Sequence, residues 1–261
     1  MLLLDIDGVI RDVGGSYRRA LAETVHHYSG WRPDPPTIDS LKSEGHWNND
    51  WEASLELLRR RAFAPLPAFD ALVEVFSGFY FGGDPAGDPA CWSGFIGDEP
   101  LLVSRSFFAE LDAAGIAWGF VSGAEPPSAR FVLEQRLGLQ APPLIAMGDA
   151  PDKPDPTGLL TLAAKVLSSC GGGELGAQAP PIAYLGDTVA DVQTVLNART
   201  QVPQQRFVSL AVAPPHLHEA QLEQQRTRYE SALSQAGADA VVPQTAEALE
   251  PLLELLQTQS P

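Results

Sequence analysis

The sequence predicts an α/β fold, namely a Rossmann-like, doubly wound parallel sheet with an inserted all-helical domain. In the second half of the chain, strand-length apolar segments alternate with helix-length segments. The apolar run Met1–Leu4 also indicates a buried strand, but only helical patterns follow it at first. We therefore expect residues 1–12 and 98–261 to form the α/β core and residues 13–97 to form the helical domain.

The composition is that of a globular protein with a large acidic surplus. The 261 residues are 44% hydrophobic and 19% charged, with a formal net charge of −16. This charge disfavours nucleic acid as a partner, because binding it requires Lys and Arg to displace counterions. No apolar run reaches the roughly 18 residues of a membrane span, and the start lacks the basic residues of a signal peptide. We therefore expect a cytoplasmic protein with no membrane partner.

Helical patterns fill the part of the chain that follows the first strand. Leu21 and Val25 lie one turn apart on one face, and a cluster of arginines that ends at Arg61 suits a helix C-terminus. Stretches rich in proline (31–36) and glycine (82–97) interrupt or end these patterns. The predicted helices are Ser16–Tyr28, Thr37–Glu44, Asp50–Ala62 and Ala68–Tyr80.

From residue 99 onward the pattern alternates between helix and strand. The predicted strands are Gly115–Val121, Pro143–Met147, Pro181–Leu185, Arg206–Val212 and Ala238–Val242. The predicted helices are Glu99–Ala114, Pro126–Leu137, Thr157–Ser169, Val189–Ala198, His216–Gln235 and Thr245–Gln257. Such alternation favours a sheet of parallel strands with helices on both faces.

Two aspartates, Asp5 and Asp7, and the glycine Gly8 follow the first strand directly. Side chains two apart on an extended segment point the same way, so both carboxylates are expected at the carboxyl edge of the sheet, where such sheets bind ligands. Like charges repel, so either a cation lies there or one carboxyl is protonated. Both arrangements suit phosphoryl transfer. The alternative is a turn in which an aspartate caps a helix.

Ser122 and Gly123 end the next predicted strand, just before a predicted helix. A phosphate oxygen at this place could accept hydrogen bonds from the Ser122 hydroxyl and from nearby backbone N–H groups. The alternative is local, because Ser122 and Glu125 have the spacing of a capping box.

Lys153 is one of only three lysines and lies in the proline-rich loop Asp149–Pro156. Prolines stiffen the loop, so the ammonium group could be held near the paired carboxylates, where it would neutralise them and bind phosphate. The alternative is a solvated lysine in a surface turn.

Asp187 and Asp191 follow the third strand of the second half, in the sequence Gly186-Asp-Thr-Val-Ala-Asp191. Residues four apart share one face of a helix, so both carboxylates could approach one cation. The alternative is again a cap, with Thr188 and Asp191 holding the start of a helix.

These four motifs, in this order and each at the end of a strand, resemble those of the haloacid dehalogenase (HAD) superfamily. The resemblance spans residues 2–191, and the helical insert is similar to the C1-type cap of the subfamily that includes phosphoglycolate phosphatase. The stretch Glu44–Glu52 resembles an uncharacterised branch of that subfamily. The resemblance implies a Mg²⁺-dependent phosphoric monoester hydrolase whose partner is a small phosphorylated metabolite. The alternatives are a phosphomutase on the same scaffold and a catalytically silent binding protein.

The resemblance also implies roles for the acidic residues. Asp5 would be the nucleophile that forms an aspartyl-phosphate, and it would bind Mg²⁺ together with Asp187. Asp7 would act as general acid and then as general base, with its backbone carbonyl on the metal, and Asp191 would support the metal directly or through water. A carboxylate two residues after the nucleophile favours a phosphatase over a dehalogenase, because a halide leaves without a proton.

The remaining candidate residues are contacts for phosphate or substrate. The resemblance implies that Ser122 and Lys153 hold the transferring phosphoryl group. The segment Val9–Val13 differs from the Thr-Leu-x-Asp-Ser common in phosphoglycolate phosphatases, and its Arg11 either contacts substrate or only forms part of the loop. In the cap, Lys42 and His46 are the best candidates for substrate contacts. The full set is Ser122, Gly123, Lys153, Arg11, Lys42 and His46.

Overall fold

Residues 1–42, 44, 47 and 49–257 are described by a computed structural model. The chain divides into two units: Met1–Asp12 together with the chain from Leu101 onward, and Val13–Pro100. The first unit contains a sheet with helices, and the described elements of the second are all helical. The predicted fold class is therefore confirmed.

The helical unit contains four α-helices and two short 3₁₀ turns among its described residues. The α-helices are α1 (Tyr17–Ser29), α2 (Pro35–Lys42), α3 (Asp50–Arg60) and α4 (Phe69–Phe81). The ring of Tyr17 in α1 stacks on that of Tyr80 in α4, with centroids 4.2 Å apart. The Asn49 side chain accepts hydrogen bonds from the N–H groups of Trp51 and Glu52, which fixes the start of α3.

A six-stranded parallel sheet forms the centre of the α/β unit, in the order β3-β2-β1-β4-β5-β6. The strands are β1 (Leu2–Leu4), β2 (Trp118–Val121), β3 (Leu144–Ile145), β4 (Ile182–Gly186), β5 (Phe207–Val212) and β6 (Ala240–Val242). Leu4 of β1 lies opposite Phe120 of β2 on one side and Leu185 of β4 on the other. The strand order reverses between β1 and β4, and doubly wound sheets bind ligands beyond the carboxyl ends of the strands at this point.

Helices cover both faces of the sheet. They are α5 (Arg105–Ala113), α6 (Pro126–Arg130, continued by a π-helical turn), α7 (Thr157–Ser169), α8 (Val189–Gln201), α9 (Glu223–Ala236) and α10 (Leu249–Gln257). Leu2 and Leu4 belong to an apolar cluster with residues of α5 and α10, whereas Leu3 belongs to one with residues of α7 and α8. Within the described residues, no helix is long and apolar enough to cross a bilayer.

Two predicted helices begin later than expected. The segment predicted as Glu99–Ala114 becomes helical only at Arg105, because Glu99 and Ser104 have extended backbones. A proline follows Glu99, and the residue before a proline is disfavoured from the helical region. The segment predicted as His216–Gln235 starts with two short 3₁₀ turns, and the α-helix begins at Glu223.

Candidate active site

Three carboxylates meet at the carboxyl edge of the sheet, between β1 and β4. Asp5 follows β1 and Asp187 follows β4, and the Asp5 N–H donates to the Leu185 carbonyl at 2.9 Å. Asp191 lies in the first turn of α8. One carboxylate oxygen from each of the three aspartates lies within 4.8 Å of the others, an arrangement that could hold a metal ion.

The Lys153 ammonium group lies within this cluster and uses its three N–H donors there. It donates to Asp5 Oδ2 at 2.7 Å, to Asp191 Oδ1 at 2.6 Å and to the Tyr184 hydroxyl at 3.2 Å. The structure therefore does not support the alternative of a solvated surface lysine. Asn197 of α8 helps to hold the lysine loop, because its side chain donates to the Pro154 carbonyl at 2.9 Å.

The site has more negative than positive charge. Three carboxylates lie around one ammonium group, so the formal charge of the cluster is negative. The pKa of Asp5 is raised to about 6, chiefly by burial; Lys153 opposes the rise, and Asp191 and Asp7 add to it. The pKa of Asp187 is held well above its ordinary value by burial and by its neighbours Asp191 and Asp5. A divalent cation bound by oxygen ligands would balance this charge.

Asp191 has two sets of hydrogen-bond partners, one for each carboxylate oxygen. Its Oδ2 accepts from the Thr188 N–H at 3.0 Å and from the Thr188 hydroxyl at 2.6 Å, which completes the capping box of α8. Its Oδ1 accepts from Lys153. Burial raises the pKa of Asp191, but Lys153 and Thr188 outweigh that effect and lower it overall. The cap alternative is therefore confirmed for this carboxylate, and its role as a site residue stays a prediction.

Gly8 lies directly against the Asp187 carboxylate. A Cβ atom at position 8 would come within 2.0 Å of Asp187 Oδ2, and the glycine φ of +75° is rare for other residues. Gly186 is similarly constrained, because a Cβ there would lie 2.3 Å from the Cβ of Asp191. The two glycines of the motifs thus make room for the carboxylates.

The Asp7 carboxylate forms an ion pair with a buried arginine. The Arg11 Nε donates to Asp7 Oδ1 at 2.7 Å, and the Arg11 side chain is fully buried while that of Asp7 is 29% exposed. Asp7 nevertheless lies near enough to raise the pKa of Asp5. Two neighbouring acids of one motif therefore have different partners, a lysine for Asp5 and an arginine for Asp7.

Ser122 lies at the same edge, after β2, and is buried. Its hydroxyl oxygen accepts from the Ala124 N–H at 3.2 Å, and its own N–H donates to the Ile145 carbonyl at 3.0 Å. The capping-box alternative is wrong, because Glu125 occupies the cap position of α6 and no side chain caps that helix. Gly123 is exposed beside it.

The predicted substrate contacts of the cap belong to the helical unit. The Lys42 ammonium group lies 2.7 Å from Asp50 Oδ1, so this candidate forms an ion pair. His46 lies outside the described residues. The roles assigned to both stay predictions.

Two tyrosines of the site were missed by the sequence analysis. The Tyr184 hydroxyl donates to the Val121 carbonyl at 2.8 Å and accepts from Lys153. The Tyr229 hydroxyl, on α9, donates to the Asp187 carbonyl at 2.9 Å. A tyrosine within an apolar strand is a usable signal, because a buried phenol normally finds a hydrogen-bond partner. No comparable pattern marks Tyr229.

Several solved structures share this architecture at low sequence identity. Phosphatase Tt82 from Thermococcus thioreducens is 21% identical, with a TM-score of 0.60 over 89% of this chain and 98% of that chain. A phosphonoacetaldehyde hydrolase-like protein from Oleispira antarctica is 16% identical, with a TM-score of 0.67 over 100% and 95%. A predicted phosphoglycolate phosphatase from Haemophilus somnus is 13% identical, with a TM-score of 0.60 over 97% of each chain. These likenesses show the fold.

One curated protein is similar in sequence. It is an imidazoleglycerol-phosphate dehydratase from Phytophthora nicotianae, 29% identical over 246 residues. The match covers 92% of this chain but 49% of the dehydratase, so the chain spans about half the length of the curated relative. No protein-family model matches the chain.

Proposed function

We propose, from the premise that this chain has the fold of the haloacid dehalogenase-like hydrolases, that it is a Mg²⁺-dependent phosphatase of a small phosphomonoester. The observation that carries the proposal is the position of Asp5. It is held by the Lys153 ammonium group and lies among further carboxylates at the carboxyl edge of the sheet. The proposed nucleophile, Asp5, therefore lies beside both a fixed cation, Lys153, and a candidate metal site.

In the first step, a carboxylate oxygen of Asp5 attacks the phosphorus atom of the ester. The bond between phosphorus and the ester oxygen breaks, and that oxygen takes a proton from the Asp7 carboxyl group as the alcohol leaves. The phosphoryl group is then bound to Asp5 as an acyl phosphate. Lys153, which contacts Asp5 Oδ2, would stabilise the charge of the transferring group.

In the second step, a water molecule attacks the phosphorus atom of the aspartyl-phosphate. Asp7, now a carboxylate, takes a proton from that water, and the bond between the Asp5 oxygen and phosphorus breaks. Inorganic phosphate leaves, the Asp5 carboxylate is restored and Asp7 is again protonated. The two steps together consume one ester and one water and release one alcohol and one phosphate.

The residues of the acidic cluster fit Mg²⁺, which prefers carboxylate oxygen ligands. Asp5 and Asp187 would bind it, with the Asp7 backbone carbonyl, and Asp191 would support it directly or through water. When bound, the ion would neutralise negative charge on the phosphoryl group. The observation behind this assignment is the surplus of buried carboxylates over ammonium groups in the cluster.

The phosphoryl and substrate contacts are proposed on different grounds. Ser122 directly follows β2, the strand next to β1, so its hydroxyl and the Gly123 backbone are assigned to the phosphoryl oxygens. The helical unit is assigned the choice of substrate, through Lys42 and His46.

The test is a panel of phosphomonoesters assayed for free phosphate with Mg²⁺ and with EDTA. The panel includes phosphoglycolate and sugar phosphates. We expect Mg²⁺-dependent phosphate release, and we expect Asp5→Asn to reduce it by roughly 10³-fold or more, because the amide is not a nucleophile. Asp70→Asn, at an exposed position of α4, is the matched control and should retain activity.

Other outcomes of the same panel distinguish the alternatives. Activity that survives Asp5→Asn would exclude the covalent mechanism. Formation of an isomeric phosphate ester without free phosphate would identify a phosphomutase. Phosphate binding without turnover across the whole panel would favour a silent binding protein.

The similarity to the Phytophthora protein adds imidazoleglycerol phosphate to the panel. This compound is assayed in two ways, for free phosphate and for loss of water. A phosphatase releases phosphate, and a dehydratase keeps the phosphate ester intact. The compound therefore separates the two activities that the comparisons suggest.

A further inference from the structure

Arg11 is a fully buried arginine whose guanidinium group pairs with a carboxylate inside the protein. Its Nε donates to Asp7 Oδ1 at 2.7 Å, and its exposed fraction is 0%. A buried guanidinium group is unfavourable unless a carboxylate pairs with it, and a hydrogen bond between charged groups is short and directional. The ion pair therefore restricts where the Asp7 carboxylate can point.

The backbone between these two residues is also fixed. The Gly8 N–H donates to the Arg11 carbonyl at 2.9 Å, and the Arg11 N–H donates to the Ile6 carbonyl at 3.2 Å. The Ile10 carbonyl accepts from the Leu102 N–H at 2.9 Å, which ties the turn to the returning chain. The main chain of Arg11 is thus held in place by hydrogen bonds, one short turn beyond Asp7.

A second carboxylate, Glu125, acts on Arg11 from another loop. Glu125 precedes α6, three residues after Ser122, and its Oε2 is buried with no hydrogen-bond partner among the described residues. Burial raises the pKa of Glu125, and the charge of Arg11 lowers it. The charge of Arg11 therefore also acts on an acid of the loop after β2.

We propose that Arg11 is a positioning residue that holds the Asp7 carboxyl group in the orientation needed to protonate the leaving oxygen. The inference rests on the proposed phosphatase function and refines it. Because the Arg11 side chain is fully buried, it acts through Asp7. This role differs from the substrate contact considered for Arg11 from the sequence, and one experiment tests both.

The experiment compares two aryl esters, phenyl phosphate and 2,4-dinitrophenyl phosphate. Dinitrophenolate leaves without a proton, whereas phenolate leaves much faster when an acid protonates it. The value of kcat/KM reports only the steps up to loss of the alcohol. We expect Arg11→Met to lower kcat/KM for phenyl phosphate about tenfold more than for 2,4-dinitrophenyl phosphate, with the loss in kcat rather than in KM.

A double-mutant cycle tests whether Arg11 acts through Asp7. In an Asp7→Asn background, Arg11→Met should have almost no further effect on either ester. Arg130→Met, which removes an exposed ion pair with Glu134, is the control and should match wild type on both esters. If Arg11→Met does not fold, Arg11→Lys gives the same comparison, because lysine keeps the charge but lacks the planar fork.

The outcomes separate this inference from the proposed function. If wild type hydrolyses both esters and Asp5→Asn does not, the phosphatase proposal stands. An equal loss on both esters, a rise in KM alone, or a full effect in the Asp7→Asn background would then overturn the positioning role and favour a substrate contact. If wild type hydrolyses neither the two esters nor the metabolite panel, the phosphatase proposal fails and the role of Arg11 fails with it.

Discussion

At Gly8 of the candidate site, both backbone conformation and space require glycine. Its φ is +75°, and a methyl group there would overlap the Asp187 carboxylate. The left-handed region costs other residues about 1–2 kcal/mol, and the overlap would also displace a candidate metal ligand. The glycine is therefore required because of Asp187, a residue almost 180 positions later in the chain.

We expect Gly8→Ala to reduce phosphatase activity by roughly 10²-fold, because a shift of about 1 Å in a reacting group has an effect of this size. Gly115→Ala is the matched control. Gly115 has a φ of +70° but nothing within 4 Å of an added Cβ. The control should lose about 1 kcal/mol of unfolding free energy with activity intact. Equal activity losses in the two variants would show that backbone strain alone is responsible.

Strand β4 links the elements of the site through a single hydroxyl group. Tyr184 points from this strand to the Val121 carbonyl at the end of β2, to Lys153 and to Asp191. Its proton goes to the Val121 carbonyl in the shortest of these bonds, so a lone pair remains for the Lys153 ammonium group. Burial raises the pKa of Tyr184 well above its ordinary value, so the phenol keeps this proton.

Tyr184→Phe should lower kcat about tenfold with little change in KM, because a loosened Lys153 supports the charge of the transition state less well. The free energy of unfolding should fall by about 1–2 kcal/mol, since the buried Val121 carbonyl loses its donor. Tyr28→Phe removes a similar hydroxyl bond, to the Ala71 carbonyl at 3.0 Å in the helical unit. That variant should keep its kcat, and an equal loss of kcat in both would contradict the role of Tyr184.

At the scale of the whole molecule, the acidic cluster makes the free energy of unfolding depend on pH. The folded-state pKa of Asp5 is raised to about 6. The stability that its protonated form contributes is complete below the ordinary pKa of an aspartate and is lost as the pH rises through about 6. A metal ion that binds the ionised carboxylates would replace this contribution at neutral pH.

We expect saturating Mg²⁺ to raise the melting temperature by about 5 °C at pH 7.5, the size expected for a ligand at roughly 100 times its Kd. The rise should be smaller at pH 5, because protons then compete with the metal for Asp5. Thermal unfolding of Asp187→Asn should show no such rise, whereas Asp70→Asn should respond like wild type. A rise of equal size in Asp187→Asn would place the ion elsewhere.

The secondary structure follows the sequence closely where one periodic signal dominates. The helix predicted for Thr157–Ser169 has those bounds in the structure, because its apolar periodicity is uninterrupted. The helix predicted over Glu99–Ala114 is wrong at its start, because Pro100 keeps Glu99 extended. Apolar periodicity alone does not register this local restriction. Apolar spacing therefore predicts where a helix lies, and local backbone restrictions determine where it begins and ends.

The sequence by itself determined which strands are followed by acids and the sheet edge to which those acids belong, because spacing along the chain fixes the direction of each side chain and parallel strands end at one edge. It did not determine the partners. Lys153 binds Asp5 across 148 positions, and Asp7 forms its ion pair with Arg11 rather than with that lysine. Only the tertiary structure decided this, because the partner of a buried charge depends on which loops the packed sheet brings within hydrogen-bond distance.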